Sequence, residues 1–219
     1  PVAHARLLTG NGAVYLARDD AEPLILRYDQ LSLELDADKV SVRPRLQLAS
    51  ADLGQGHLEA VINPYAEGKP LTGEVALSGL RLELLQPFFP ALSALTGRIN
   101  GQGRLEGVLA KPRYWGNIEL TDGRMALRNA PLAVDEMTAL INVKGDQAEI
   151  SGQLKSGKGG ATLSGAGDWT EEPKLVLNLR GERFELRQEP QLIAEISPDL
   201  HFVLVPERLD LTGTVRVPY

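Results

Sequence analysis

Two glycine-rich stretches have a spacing that phosphate chemistry would use. Leu95 to Pro112 reads LTGRINGQGRLEGVLAKP, with four glycines in eleven residues and Gly101-Gln102-Gly103 at its centre. Gly152 to Gly159 reads GQLKSGKG and satisfies the GxxxxGK half of a phosphate loop. A dinucleotide fingerprint needs GxGxxG at a strand-to-helix junction, because the helix N-terminus holds the pyrophosphate. In the first stretch Gly107 comes one place late, and no helix pattern appears before Pro112. In the second, Gly159 stands where Ser or Thr must hold magnesium, and GATLSGAGDW continues as a strand pattern. The first stretch therefore reads as a strand, or two strands through a tight turn, and the second as a Lys-Gly-Gly hairpin.

Other reactive groups are sparse. Cysteine is absent, which removes disulfides and thiolate chemistry together. His4, His57 and His201 have no second histidine or carboxylate at ligand spacing, whereas zinc needs three or four convergent ligands. His201, in DLHFVLV, reads as a surface or hydrogen-bonded histidine. Asp19-Asp20, Asp135-Glu136 and Glu171-Glu172 read as acids of turns and solvated faces, and no GxSxG elbow is present. No catalytic residue, metal site or cofactor is expected, and the chain is read as a non-enzyme. A net charge of −6 without a basic run argues against nucleic acid, which needs a positive surface. No apolar run approaches the ~20 residues of a membrane helix. The start at Pro1 is read as a cut from a longer protein, with any signal or anchor outside it.

The elements that must position all of this are strands. In LTGRINGQGRLEGVL, Leu95, Gly97, Ile99, Gly101, Gly103, Leu105, Gly107 and Leu109 fall on one parity, and polar residues on the other. The same period of two recurs in LSLEL (Leu31, Leu33, Leu35), in VSVRPRLQL (Val40, Val42, Leu46, Leu48), in GHLEAVI (Leu58, Ala60, Ile62) and in LTGEVAL (Leu71, Val75, Leu77). It returns at Ile118 and Leu120; Ala139, Ile141 and Val143; Ile150 and Leu154; Leu163; Leu175, Leu177 and Leu179; and Leu209, Leu211, Val215 and Val217. About fifteen strands follow from this pattern, joined by polar turns at TDGR, KGDQ and TEEPK, with Pro44 marking an edge or bulge. Leu80 to Leu95 is too apolar for a half-buried strand; it predicts one or two short helices, around Leu82 to Gln86 and Ala91 to Leu95, with Phe88 and Phe89 as core plugs. Strand-turn phrases repeat from Pro70, Pro112 and Pro173, as expected for an extended array of hairpins. The expected fold is all-β: an elongated, curled antiparallel sheet forming one segment over residues 1–219.

A sheet apolar on one side must have that side covered. A self-filled sandwich, a lipid-facing barrel and an open groove filled by a ligand are the available closures. A membrane barrel displays aromatic girdles, and the eleven aromatics here are not grouped at strand ends. Filled sandwich cores also use large aromatics. The apolar parity here is Leu, Ile, Val, Ala and Gly, a lining suited to flexible acyl chains. Each methylene removed from water contributes ~0.8 kcal/mol, so one long chain contributes roughly 10 kcal/mol. The residues expected to line a groove are Leu71, Val75, Leu77, Ile99, Leu105, Leu109, Ile118, Leu120, Ile141, Val143, Ile150, Leu154, Leu163, Leu175, Leu177, Leu179, Leu209, Leu211, Val215 and Val217. In HFVLV both parities are apolar, so the inward side stays open at this point.

GRLEGVLAKPRYWGNIELTDGRMAL, ATLSGAGDW and PDLHFVLVPERLDLTGTVRVP resemble the TamB family, most clearly from about Pro70 to Tyr219. PFFPALSALTGRING resembles the short-helix insert of that family. The resemblance points to a fragment of the C-terminal region. It implies a periplasmic, inner-membrane-anchored protein of Gram-negative bacteria, folded as a β-taco (a half-pipe with a continuous hydrophobic groove) of the AsmA-like bridge-type lipid carriers. It also implies phospholipid transport between the membranes, the outer-membrane barrel protein TamA as partner, and a role in autotransporter secretion and outer-membrane protein assembly. A scaffold that holds strands of nascent outer-membrane proteins by β-augmentation is the alternative.

Overall fold

The computed structural model describes residues 4–18, 21–28, 30–36, 41–50, 54–63, 65–128, 130–188 and 192–217; Asp19, Asp20 and Val40 lie outside them. The described chain is all-β and antiparallel, with sixteen strands. It divides into two compact units, one of residues 1–80 and 100–116, the other of residues 81–99 and 117–219.

In the first unit, β1 (His4–Thr9) is followed by a separate two-stranded hairpin, β2 (Gly12–Arg18) with β3 (Ala21–Tyr28). β1 then pairs with β4 (Gln30–Asp36), and the ladder continues through β5 (Ser41–Ser50) and β6 (Gly54–Ile62) to β7 (Pro70–Arg81). The register aligns the apolar parities read from sequence: Leu31 opposes Leu46, Leu46 opposes Leu58, and Leu58 opposes Val75. Leu35, Val42, Ile62 and Leu71 form a second such row. Pro44 lies in an interior strand and not at an edge. Its missing N–H is accommodated because the β5–β6 ladder passes from Val42–Ile62 to Arg45–Glu59, skipping Arg43 and Pro44.

The segment Leu92–Val108 is one continuous strand, β8, so LTGRINGQGRLEGVL contains neither a phosphate loop nor an internal turn. It is followed by β9 (Lys111–Leu127). Within the first unit a Cβ at Gly103 would meet the Trp115 carbonyl and the Tyr114 ring, each at 2.5 Å, so the glycine admits the neighbouring strand and an aromatic ring. TDGR is not a turn between strands, because β9 runs through it, with Asp122 at φ 53° inside the strand. There a Cβ at Gly97 would lie 3.0 Å from the Gly123 Cα, and this close backbone approach absorbs the irregularity.

One of the two predicted helices forms, as a 3₁₀ element over Leu82–Phe88. Ala91–Leu95 is not helical: β8 begins at Leu92, the Arg128 N–H donates to the Ala91 carbonyl at 2.9 Å, and Leu95 is buried. So short a helix would satisfy few of its own backbone groups, and strand pairing satisfies them instead. Phe89 is 51% exposed and therefore not a core plug; the Phe88 side chain lies outside the described residues.

In the second unit, β10 (Ala133–Gly145), β11 (Gln147–Ser156), β12 (Gly159–Asp168) and β13 (Lys174–Glu182) form consecutive hairpins, whose turns fall at KGDQ, Gly157-Lys158 and TEEPK. GQLKSGKG is thus a hairpin, with Gly157 at φ 59° in its turn. A short strand, β14 (Phe184–Gln188), pairs with the first part of β15 (Leu192–Val205). β15 continues against β13, and on its other side against β16 (Arg208–Arg216).

The buried centre of this unit is small. Val134, Ala161 and Phe184 are 3%, 7% and 5% exposed, with Met125, Leu132, Met137, Leu154, Leu179 and Ile196 packed against them. Ser156 beside it is fully buried, and its Oγ donates to the Glu185 carbonyl at 2.7 Å, tying β11 to β14. Ser156→Ala removes that donor and leaves a partly buried carbonyl short of a partner. A loss of about 1–2 kcal/mol is expected in denaturant unfolding, and Ser156→Thr, which keeps the hydroxyl, restores part of it.

Candidate functional site: an aliphatic face in the second unit

Side chains directly opposite in an antiparallel ladder share a face, so the strand registers assemble the face residue by residue. Ile141 opposes Ile150, Ile150 opposes Gly165, Gly165 opposes Leu177, Leu177 opposes Phe202, and Phe202 opposes Leu211. One row further along lie Val143, Ala148, Gly167, Leu175, Leu204 and Leu209. In the other direction come Ala139, Gly152, Leu163, Leu179, Leu200 and Gly213. Met137, Leu154, Ala161 and Gly181 make a fourth row, and Pro198 pairs with Val215 beyond it. Across six strands these rows contain no titratable side chain.

The intervening positions are mostly polar, with Leu140, Ala166, Val176 and Val203 the apolar ones among them. Thr138, Gln153, Thr162, Arg180, Asp199 and Thr214 align in register, as do Ser151, Ser164, Asn178, His201 and Thr212. Cross-strand contacts tie this side together: Lys155 to Glu136 at 2.7 Å, Arg180 to Asp199 at 3.2 Å, and His201 Nδ1 to the Asn178 amide oxygen at 2.8 Å. His201 is thus the exposed, hydrogen-bonded histidine expected from sequence. Asp135 and Glu136 lie in β10 and not in a turn; Asp135 accepts from the Gly157 N–H at 2.7 Å.

Among the described residues the aliphatic side is covered most fully at its two ends. At one, Val143, Ala148 and Gly167 are buried, with the Trp169 ring 3.0 Å from where a Cβ on Gly167 would lie; at the other is the Phe184 plug. Phe184, Val134 and Leu132 pack over Met137, Leu154, Ala161 and Leu179. Away from this plug, Ile141, Ile150, Leu163, Leu175 and Leu177 are half-buried, and Leu204, Leu209, Leu211 and Val215 are 46–60% exposed. Such a surface binds by removal from water, without directional bonds. It offers no proton donor, nucleophile or metal ligand, and no group of three or more His, Asp or Glu that could hold a metal occurs among the described residues.

Every residue expected to line a groove is placed. Leu71, Val75, Leu77 and Leu105 lie on strands of the first unit, with Leu71 buried and the other three half-buried. Leu109 is in the turn after β8, where its N–H donates to the Lys69 carbonyl at 3.0 Å, and it does not join a strand row. Ile99, Ile118 and Leu120 are half-buried strand residues of the second unit. Val217 follows β16 and is 64% exposed. The remaining eleven fall in the four rows or, for Val215, opposite Pro198. Leu200, Phe202 and Leu204 were not legible from parity; their opposition to Leu179, Leu177 and Leu175 puts them on the aliphatic side and His201 and Val203 on the other. The signal was the neighbouring strand, which parity within HFVLV does not contain.

No helix among the described residues is long and apolar enough to cross a membrane. The profile described as "TamB, N-terminal domain" matches residues 1–120. The "Translocation and assembly module subunit TamB" of Haemophilus influenzae is 20% identical over 212 residues, covering 96% of this chain and 16% of that protein. The chain thus spans about a sixth of the length of this curated relative. The profile match names the N-terminal domain, where the resemblance read from sequence pointed to the C-terminal region. No solved structure matches the chain.

Proposed function

The chain belongs to the TamB family, and from that premise we propose that its aliphatic face shields lipid acyl chains from water as phospholipid passes between the inner and outer membranes. The observation that carries this reading is the run of four rows without a titratable side chain, whose central part, from Ile141 and Ile150 across to Phe202 and Leu211, the protein's own residues leave half-buried or exposed. On the same reading the eleven expected residues that share this face in the second unit line a groove in a periplasmic protein anchored in the inner membrane. TamA is its partner, and outer-membrane protein and autotransporter assembly is the process it supports. Acyl chains suit an aliphatic lining because burial is non-directional and additive, at ~0.8 kcal/mol per methylene.

A photo-crosslinking residue at Leu177, compared with one at the adjacent Asn178, tests this. Leu177 lies on the aliphatic side and Asn178 on the polar side of the same strand. Lipid adducts at Leu177 and none at Asn178 are expected, read by mass spectrometry of protein crosslinked in cells. Equal adducts at both positions, or none at Leu177, would refute the reading.

Binding of nascent strands by β-augmentation is a second reading. It is favoured by β16, which pairs with β15 and with no other strand among the described residues.

A further inference from the structure

We propose that the polar side of the second unit holds a site for a phosphate group, in a cleft of about 750 Å³ ringed by Lys158, Arg180, Arg183 and Arg216. Ala161, Gly181 and Pro198 of the aliphatic rows also border the cleft, but the acyl-chain reading plays no part in the proposal. Glu182 and Asp199 also line the cleft, so cations exceed anions two to one there, in a chain whose net charge is −6.

The floor of the cleft is Gly160. It opposes Lys155 on one neighbouring strand and Glu182 on the other, which puts it on the polar side. A Cβ there would meet only the Leu154 carbonyl, at 3.4 Å, so the absent side chain leaves open space above the sheet. The cations around that space keep donors in reserve. Arg180 gives its Nε to Asp199 at 3.2 Å, and Arg183 gives its Nε and Nη2 to Glu195 at 2.9 and 3.2 Å. A guanidinium has five N–H groups, so each fork retains donors. Among the described residues Arg216 makes no side-chain hydrogen bond or ion pair, and the Lys158 ammonium makes no side-chain hydrogen bond, although its charge acts on Glu195. Three guanidinium groups and an ammonium around an unfilled floor suit a tetrahedral, multiply charged oxyanion, since the fork geometry of Arg matches phosphate oxygens in pairs. The volume admits a phosphate together with the group it esterifies.

Calorimetric titration of the chain with inorganic phosphate, and flotation with vesicles carrying anionic phosphodiester headgroups, test the proposal and identify the source of the phosphate. Binding of both shows that the phosphate itself is recognised; binding of the vesicles alone assigns the site to a headgroup, and binding of phosphate alone to a free anion. Lys158→Gln and Arg216→Gln are each expected to weaken binding about tenfold, as for loss of one charge-assisted hydrogen bond. Gly160→Val, which suits a strand and removes no charge, is expected to abolish binding by filling the floor. Lys174→Gln, a cation outside the cleft, is expected to leave it unchanged. The proposal is overturned if neither ligand binds, if Gly160→Val binds like the wild type, if Lys174→Gln weakens binding as much as Arg216→Gln does, or if citrate competes as well as phosphate.

Discussion

Leu177→Asp and Ile141→Asp are expected to strip co-purifying phospholipid from the protein by tenfold or more while leaving it folded. Both residues lie in the central aliphatic row and are half-buried. In the lipid-free protein a carboxylate at either position can remain hydrated, so the folding cost stays at ~1–2 kcal/mol, within the range of ordinary substitutions. Beneath hydrocarbon the same carboxylate must lose water without a partner, because the neighbouring rows contain no cation. That penalty is several kcal/mol or more, comparable with the burial of several methylenes, and it acts on the bound state alone. The measurements are lipid extraction of the purified protein for occupancy and circular dichroism with thermal unfolding for the fold.

Two outcomes would redirect the interpretation. Unfolding by both substitutions would mean that the protein fills this face itself, as in a closed sandwich. Retained lipid with lost outer-membrane protein assembly would favour strand capture. In that case prolines in β16 should be the more damaging class, and Leu211→Pro with Thr212→Pro samples two adjacent backbone donors. The aspartate variants attack the face and the prolines attack an edge, so the two readings predict opposite orders of severity.

The aliphatic face was largely legible in the sequence because a period of two is a local property. Ile141, Ile150, Leu163 and Leu177 announce their side through their immediate neighbours, and hydrogen bonding only had to place those sides together. Leu200, Phe202 and Leu204 were illegible for the complementary reason: with apolar residues on both parities, only the opposing β13 assigns a side. The misread elements have a similar origin. TDGR has turn composition, but opposing glycines allow a close approach that carries the strand through it. Ala91–Leu95 has helix-compatible composition, but pairing with the next strand satisfies more backbone groups than one turn of helix would. The cationic cleft was least visible of all, because Lys158, Arg180, Arg183 and Arg216 are scattered in sequence and meet only through the ladder.

Phe184→Ala is expected to destabilise the second unit by about 3–5 kcal/mol, the usual cost of truncating a buried phenylalanine. Phe202→Ala is expected to cost much less. The contrast follows from where the protein supplies its own cover. Phe184 is 5% exposed and packs with Val134 and Ala161, whereas Phe202 is half-buried in the open central row. The close approach at the plug depends on small residues: a Cβ on Gly159 would overlap the Arg183 carbonyl, so only glycine lets the chain entering β14 cross at that point. Gly159→Ala should therefore weaken the same contact from the opposite side, by roughly 1–3 kcal/mol for forced overpacking. Applied together, the two substitutions should cost less than the sum of their separate effects, because once the chain entering β14 has lifted, the ring has no packing left to lose. Denaturant unfolding of the two single variants and the double variant measures this coupling. If Phe184→Ala and Phe202→Ala cost the same, the distinction between a plugged end and an open face is wrong, and the protein would have to bury that face along its whole length.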